Sequence, residues 1–279
     1  MVFHISQALI DEYSRGPSPT RKSEAVAAQT RVREVLGTSD WDTFLQGSYR
    51  NDTAIAAIND VDVVALRKYA TLPLPQARWE TLFAEIRSNL KDSYRIQGSV
   101  RKRDKCVSIT GSFNVDIVPA VPRVSRELDP IAIYSRRNGE AKSTYPRRHY
   151  DAGVAKQRAT KNAFKPTVRL LKRWASQWTT PEPSFYLECA VYNVPDERFN
   201  TYLPLSFASV AGEILNWTRT KVIRTPGGGT DILVQSEWSP ERFDSFKSRL
   251  LPDVKRVLEA LDASTAAEAN AKWRMVFGD

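Results

Sequence analysis

The first half of the chain alternates between two hydrophobic periods. Apolar residues recur at helical spacing in residues 23–36 and 75–94, and Ser23 suits the N-cap of the first of these helices. Short apolar runs bounded by turn residues are typical of buried strands. Such runs cover residues 61–66, 113–121 and 131–144, the last of which includes the hairpin signal Asn-Gly. The pattern predicts a lobe that mixes strands with helices.

Helical spacing dominates after Tyr150. The predicted helical segments are residues 165–178, 205–217, 239–251, 252–263 and 265–277. We therefore predict an α/β (α+β) protein with two lobes. Residues 1–150 would form a mixed-sheet lobe with an N-terminal helix, and residues 151–279 a helical lobe.

Composition narrows the class of protein. The 279 residues are 42% hydrophobic and 26% charged, as in an ordinary globular protein. The sequence has no apolar run of about 18 residues and no cationic leader, so we expect neither a membrane span nor a signal peptide. Two distant cysteines and two histidines argue against a Cys/His zinc site. We expect a reducing, cytoplasmic setting.

The excess positive charge is concentrated in residues 136–173. This segment holds twelve Lys and Arg against two acids, and the remaining chain holds 29 basic and 30 acidic residues. Such a block is typical of a surface near phosphate, either nucleic acid or nucleotide, although a solvated basic face would give the same count.

Three aspartates interrupt predicted strands. Asp60 and Asp62 are two residues apart, so their side chains point to the same side of a strand. Asp116 lies in another apolar run. If the two strands are neighbours, three carboxylates converge, and such a cluster suits a hard divalent cation. Two Mg²⁺ ions roughly 3.5–4 Å apart would activate a hydroxyl and stabilise a leaving pyrophosphate.

A glycine-serine pair precedes this strand. Gly47 lets backbone N–H groups approach a phosphate closely, and Ser48 adds a hydroxyl donor. Either motif alone would be weak, because a turn and two solvated acids explain them equally well. Their order along the chain, followed by the third aspartate, is more specific.

The ordered motifs resemble a known family. "GSYRNDTAIAAINDVDVV" and "VDIVPAV" are similar to the nucleotidyltransferases of the DNA polymerase β-like superfamily. Within it, the chain resembles the bacterial cGAS/DncV-like nucleotidyltransferases (CD-NTases), relatives of oligoadenylate synthase. The helical-lobe segments "VRLLKRWASQW" and "PSFYLE" continue the resemblance, which covers Leu45 to Glu188.

The resemblance implies a bilobal polymerase β-like fold with its active site in the cleft between the lobes. It assigns the metals to three acids and the donor nucleotide to six further residues. The metal ligands would be Asp60, Asp62 and Asp116, and the nucleotide-binding residues Gln46, Gly47, Ser48, Lys172, Ser184 and Phe185. Lys172 and Ser184 would reach the β- and γ-phosphates, and Phe185 would stack on the base.

Two of these assignments have plain structural alternatives. On a helical projection, Lys172 lies about 40° from Val168, at the border of the apolar stripe, where a lysine can simply extend along the core to solvent. Ser184 follows Pro183 and suits a helix N-cap, which is also a natural phosphate site.

The implied activity is a metal-dependent nucleotidyl transfer, with two Mg²⁺ ions, or Mn²⁺ in their place. A 2′- or 3′-hydroxyl, deprotonated with help from Asp116, would attack the α-phosphorus of ATP or another nucleoside triphosphate and release pyrophosphate. The family implies a cyclic di- or oligonucleotide second messenger made in antiphage (CBASS-type) defence. A nucleic acid or a protein is the expected kind of activator.

Three alternatives remain open from the sequence. A template-independent RNA or tRNA nucleotidyltransferase would use the basic segment as a track for its acceptor. An antibiotic nucleotidyltransferase would need an acidic acceptor pocket, which the basic segment does not suggest. A non-catalytic nucleic-acid-binding or toxin-partner protein on the same scaffold is disfavoured by the intact aspartates.

Overall fold

The structure is a computed structural model that describes residues 3–70, 72–93, 100–111, 113–124, 129–228 and 238–278. The chain divides into two compact units. The sheet unit comprises residues 17–51 and 57–148, and the helical unit comprises residues 1–16, 52–56 and 149–279. Both expected classes of secondary structure are present, which confirms the α+β fold class.

Seven strands of the sheet unit form one mixed sheet. The strands are β1 (Trp41–Gln46), β2 (Asp60–Arg67), β3 (Val100–Lys102), β4 (Val107–Ile109), β5 (Asn114–Pro122), β6 (Ile131–Ser135) and β7 (Glu140–Thr144). The order is β1-β2-β5-β4-β3, and the end of β5 also pairs with β6, which pairs with β7. β2 and β5 run parallel, and the other pairs are antiparallel.

The sheet has two differently covered faces. Its helices are α2 (Pro19–Leu36), the single turn and a half of α3 (Gly47–Asn51) and α4 (Gln76–Ser93). Odd-numbered residues of β2, such as Val61 and Val63, share a buried core with Trp79 and Phe83 of α4. Even-numbered positions face the other way, where Val64 belongs to a smaller apolar cluster. Asp60 and Asp62 are even-numbered and therefore lie on this second face.

Helix α2 begins earlier than the predicted N-cap at Ser23. The side chain of Ser18 accepts a hydrogen bond from the backbone N–H of Arg21, and Pro19 occupies the first helical position. A serine cap followed by proline is a favourable start because proline has no N–H to leave unpaired. Ser23 consequently lies inside the helix.

The helical unit contains α1, most of α5 and all the later helices. The bounds are α1 (Gln7–Ser14), α5 (Pro146–Ala159), α6 (Phe164–Ala175), α7 (Ser184–Asn193), a short 3-10 helix (Asp196–Arg198), α8 (Leu203–Leu215), α9 (Pro240–Asp262) and α10 (Ala266–Phe277). One apolar core joins α1 and the helices α6 to α10, through residues such as Leu171 of α6, Phe207 of α8 and Trp273 of α10. Among the described helices, none combines the length and apolarity needed to cross a membrane.

Two predicted helical segments, residues 239–251 and 252–263, form the single helix α9. Pro252 lies inside it. Proline removes one backbone donor from a helix interior. Here Phe246 and Leu250 before the proline and Val257 after it are all buried in the same core, and this packing favours one continuous helix.

The compact units do not coincide with the predicted lobes of residues 1–150 and 151–279. Helix α5 contains the predicted boundary, and residues 1–16 and 52–56 group with the C-terminal helices. Packing explains the first grouping, because Tyr13 stacks on Phe277 with ring centroids 5.1 Å apart. The predicted boundary was drawn from local periodicity, which carries no signal for such distant contacts.

Candidate active site

A row of polar residues crosses four adjacent strands of the sheet. Asp62 of β2 is the direct partner of Asp116 on β5 and of Gln46 on β1. Asp116 in turn is the direct partner of Ser108 on β4. Directly paired residues have their side chains on the same face. The row Gln46–Asp62–Asp116–Ser108 is therefore continuous, and Asp60 lies on the same face two residues before Asp62.

The structure thus brings together the three predicted carboxylates. Asp60 and Asp62 are repelled by Asp116, and Asp62 is also repelled by Asp60. Burial, and then these neighbouring charges, raise the pKa of Asp62 to about 7. Burial and the charge of Asp116 also raise the pKa of Asp60. Perturbed carboxylates grouped at the end of two strands are typical of a functional site.

Gly47 lies against the carboxylate of Asp62. Its φ is +67°, in the left-handed region, and a Cβ placed there would lie 2.5 Å from Asp62 Oδ2. Only glycine meets both demands, because it accepts a positive φ and has no side chain to displace the carboxylate. Ser48 follows Gly47 in the first turn of α3 and is half-buried. The turn and the carboxylates are therefore adjacent.

The residues present fit a divalent cation. Among the described residues, no Lys, Arg or His lies within ion-pair distance of Asp60, Asp62 or Asp116. The amide oxygen of Gln46, next to Asp62 in the row, is buried without a hydrogen-bond partner in the described chain. A cation would offset the mutual repulsion of the carboxylates and lower the raised pKa values of Asp60 and Asp62.

The carboxylates are not already arranged around a single point. No three His, Cys, Asp or Glu side chains in the described ranges are placed to hold one ion as they stand. Like charges favour this separation, so a bound cation would have to draw the side chains inward. The oxygen-only donor set is the kind that Mg²⁺ prefers.

Lys172 occupies a buried cluster of the helical unit. Its ammonium donates to Glu188 Oε2 at 2.9 Å and to Thr53 Oγ1 at 3.0 Å. His149 Nε2 lies 2.8 Å from Glu188 Oε1. Burial alone would raise the pKa of Glu188, but Lys172, and then His149 and Thr53, hold that pKa well below its usual range.

The cluster differs from the expected lysine at the border of the apolar stripe, because Lys172 is only 5% exposed. Two of its three N–H donors are used by the described partners. Sequence reasoning missed Thr53 and Glu188. A polar side chain in an otherwise apolar helix face, as Glu188 is in α7, was the available signal.

Ser184 and Phe185 open helix α7, and both are exposed. Ser184 is the first helical residue, and Pro183 occupies the N-cap position without a side-chain cap hydrogen bond. The alternative interpretation of Ser184 as an N-cap is therefore wrong. Phe185 is 43% exposed, and its ring centroid lies 5.6 Å from that of His149. Both residues belong to the helical unit, as Lys172 does.

Much of the basic segment is already paired with acids. In the sheet unit, Arg136 Nε lies 2.7 Å from Glu80 Oε1. In the helical unit, Lys156 Nζ lies 2.5 Å from Asp196 Oδ1, and Lys172 is paired as described. An RNA nucleotidyltransferase would need these positive charges to bind a long RNA acceptor, but the ion pairs already occupy them.

Comparison with known proteins identifies the family. Residues 15–156 match the family model of the Second Messenger Oligonucleotide or Dinucleotide Synthetase domain. Residues 151–251 match the model of the cGAS/DncV-like nucleotidyltransferase C-terminal helical domain. The chain therefore belongs to the cGAS/DncV-like nucleotidyltransferases, the CD-NTases, and it is a nucleotidyltransferase of a metal-dependent family.

Individual relatives agree with this assignment. The chain is 28% identical to a cyclic UMP-AMP synthase of Rhodothermus marinus over 254 residues, which are 77% of this chain and 86% of that protein. It is 29% identical to a cyclic dipurine nucleotide synthase of Elizabethkingia meningoseptica over 231 residues, 70% and 79% of the two chains. The fold matches the structure of the R. marinus c-UMP-AMP synthase CdnE, solved with Apcpp and Upnpp. The TM-score is 0.73 at 24% identity, covering 90% of this chain and 96% of that one.

Proposed function

We propose that the protein joins nucleoside triphosphates into a cyclic di- or oligonucleotide and releases pyrophosphate. The observation that carries this proposal is the strand register that sets Asp62 opposite Asp116, with Asp60 on the same face and Gly47 against Asp62. The cyclic nature of the product is supported by the matched relatives, which are cyclic nucleotide synthases. The same family membership supports a role in antiphage defence.

The sheet unit would do the chemistry. Backbone N–H groups at Gly47 and the hydroxyl of Ser48 bind the donor triphosphate, with the amide of Gln46 beside them. Asp116 accepts the proton of the attacking 2′- or 3′-hydroxyl. Catalysis is then a matter of position and charge, because no covalent enzyme intermediate is needed.

We assign the three carboxylates to two Mg²⁺ ions, with Mn²⁺ as a substitute. When bound, the ions would supply charge neutralisation at the triphosphate and activation of the hydroxyl. Asp60, Asp62 and Asp116 would hold the ions. Two features of the described residues support this assignment: the carboxylates have no cationic partner there, and the amide oxygen of Gln46 has no hydrogen-bond partner there.

The helical unit would bind the rest of the donor. Ser184 offers an exposed hydroxyl and Phe185 an exposed ring suited to stacking on a base. Lys172 would reach a phosphate through the donor left over from Thr53 and Glu188. We still expect that a nucleic acid or a protein activates the enzyme and that it works in the cytoplasm.

The test is to incubate the purified protein with Mg²⁺ and labelled nucleoside triphosphates, and then with phosphatase. A small labelled product that resists phosphatase supports cyclisation, because a cyclic product has no terminal phosphate. Extension of added RNA alone would support the RNA nucleotidyltransferase instead. Absence of pyrophosphate under every condition, including Mn²⁺ and added nucleic acid, would favour a non-catalytic protein.

The matched variants are Asp62→Asn and Asp42→Asn. Both remove one carboxylate charge from the same sheet, but Asp42 pairs with Leu66, away from the polar row. We expect Asp62→Asn to lower product formation by several orders of magnitude while the fold persists, and Asp42→Asn to leave it near the wild-type rate. Equal activity of the two variants would contradict the metal assignment.

A further inference from the structure

Ser108 completes the polar row beside Asp116. It is the central residue of the three-residue strand β4, directly opposite Asp116, and is 2% exposed. Its hydroxyl donates a short hydrogen bond to Asp116 Oδ1. Ser108 lies between Val107 and Ile109, and no sequence motif marks it.

The direction of this hydrogen bond is fixed by chemistry. The oxygen of the Asp116 carboxylate accepts, and the single hydroxyl proton of Ser108 points at it. The Sγ atom of Cys106 lies 3.5 Å from Ser108 Oγ, and the thiol is left to donate to that oxygen. The thiol of Cys106 also interacts directly with Asp116, so thiol, hydroxyl and carboxylate form one small polar cluster.

We propose that Ser108 is a positioning residue that fixes the carboxylate of Asp116 for a divalent cation. The proposal rests on the proposed function, which makes Asp116 a metal ligand. The bond from Ser108 occupies Oδ1 and restricts rotation of the carboxylate. Metal-binding carboxylates are commonly oriented by such outer hydrogen bonds.

Position and charge explain why a serine suits this task. Without a fixed donor, Asp116 would turn away from Asp60 and Asp62, because like charges repel. A lysine or arginine on β4 would also hold Asp116, but its positive charge would compete with the cation. A neutral hydroxyl orients the carboxylate and leaves its charge available.

The experiment measures Mn²⁺ affinity by calorimetry and, separately, kcat and KM for nucleotide turnover in the full-length protein. We expect Ser108→Ala to weaken Mn²⁺ binding and to lower kcat by roughly ten- to a hundredfold, with KM for nucleoside triphosphate nearly unchanged. Ser108→Thr keeps the hydroxyl and should restore most of both values. Cys106→Ala should have an effect of only a few fold, since a thiol is a weaker hydrogen-bond donor than a hydroxyl.

Ser135→Ala is the matched control. Ser135 is also 2% exposed, lies on β6 of the same sheet, and donates to the carboxylate of Asp104 at 3.1 Å. The Ser135→Ala protein should bind Mn²⁺ as tightly as the wild type does. If circular dichroism shows that Ser108→Ala is unfolded, Ser108→Cys takes its place. A thiol has a similar shape and is a weaker donor, so this variant should have an intermediate Mn²⁺ affinity.

A folded Ser108→Ala protein, or a Ser108→Cys protein in its place, that binds Mn²⁺ as tightly as the wild type would overturn the proposal. So would an equal loss in Ser135→Ala. Metal affinity is independent of the product formed. A wild-type protein that binds Mn²⁺ but makes no cyclic nucleotide would refute the proposed function and still decide the role of Ser108.

Discussion

Replacing Gly47 with alanine tests the contact between the glycine turn and Asp62. The added Cβ would sit 2.5 Å from Asp62 Oδ2, at a φ of +67°. The positive φ alone costs an alanine about 1–2 kcal/mol of unfolding free energy. The overlap adds roughly 1–3 kcal/mol unless the carboxylate moves, and if it moves, the site is distorted.

Gly139→Ala separates these two effects. Gly139 has a φ of +68° in the hairpin between β6 and β7, and its added Cβ would have no neighbour closer than 3.9 Å. It should therefore lose only the conformational contribution, about 1–2 kcal/mol. Urea unfolding of both variants measures their unfolding free energies. The extra loss in Gly47→Ala is the contribution of the overlap with Asp62.

Activity should distinguish the two variants more strongly than stability does. A displacement of about 1 Å in a reacting group can reduce a rate about a hundredfold. We expect initial rates of pyrophosphate release to fall at least about a hundredfold in Gly47→Ala and to stay near the wild-type value in Gly139→Ala. Similar rates in both variants, with both proteins folded, would refute the reasoning that the glycine makes room for Asp62.

Three further predictions concern charge and exposed apolar surface. The raised pKa of Asp62, about 7 against 3.8 in a model compound, means that without divalent metal the unfolding free energy should fall as pH rises from about 4 to about 7. The loss of unfolding free energy is below about 4 kcal/mol, because Asp62 is only half-buried. Adding Mg²⁺ should reverse this loss. Urea unfolding in EDTA measures it, and an unfolding free energy that rises from about pH 4 to about pH 7 would contradict the prediction. Lys172→Met should lower the unfolding free energy by about 3–5 kcal/mol, because Glu188 stays buried without its cation, and adding Glu188→Gln should recover part of that loss. An unchanged thermal midpoint in the single variant would show that the pair contributes little. Phe185→Ala should raise KM for nucleotide about tenfold with little loss of stability, whereas Leu251→Ala, at a similarly exposed site, should leave KM unchanged; equal KM values would remove the stacking role.

Local sequence signals located the central carboxylates. Asp60, Asp62 and Asp116 were recognisable because they interrupt apolar strands, and the parallel pairing of β2 with β5 confirms that they meet. The same alternation predicted β2 to within a residue at each end, since strand burial is a local property. Their role as metal ligands stays a prediction.

Partners from distant segments were not predictable. Ser108 meets Asp116 only because β4 pairs with β5 in one particular register, and a register is not encoded in either strand alone. The burial of Lys172 depends on Glu188 from another helix and on Thr53 from more than a hundred residues upstream. A helical projection places Lys172 on its own helix, but it contains no information about what packs there.

The grouping of residues 52–56 with the C-terminal helices limits how this protein can be divided. Arg169 donates to the backbone oxygens of Ser14 and Asp52, so the helical unit is completed by two separate upstream pieces of chain. A fragment starting at residue 151 would lack both pieces, so Arg169 would lose these two acceptors and the Lys172–Glu188 pair would lose Thr53 and His149. Exchange of one helical unit for another between related synthases would have to transplant three stretches at once, so grafts at a single junction should yield insoluble chimeras.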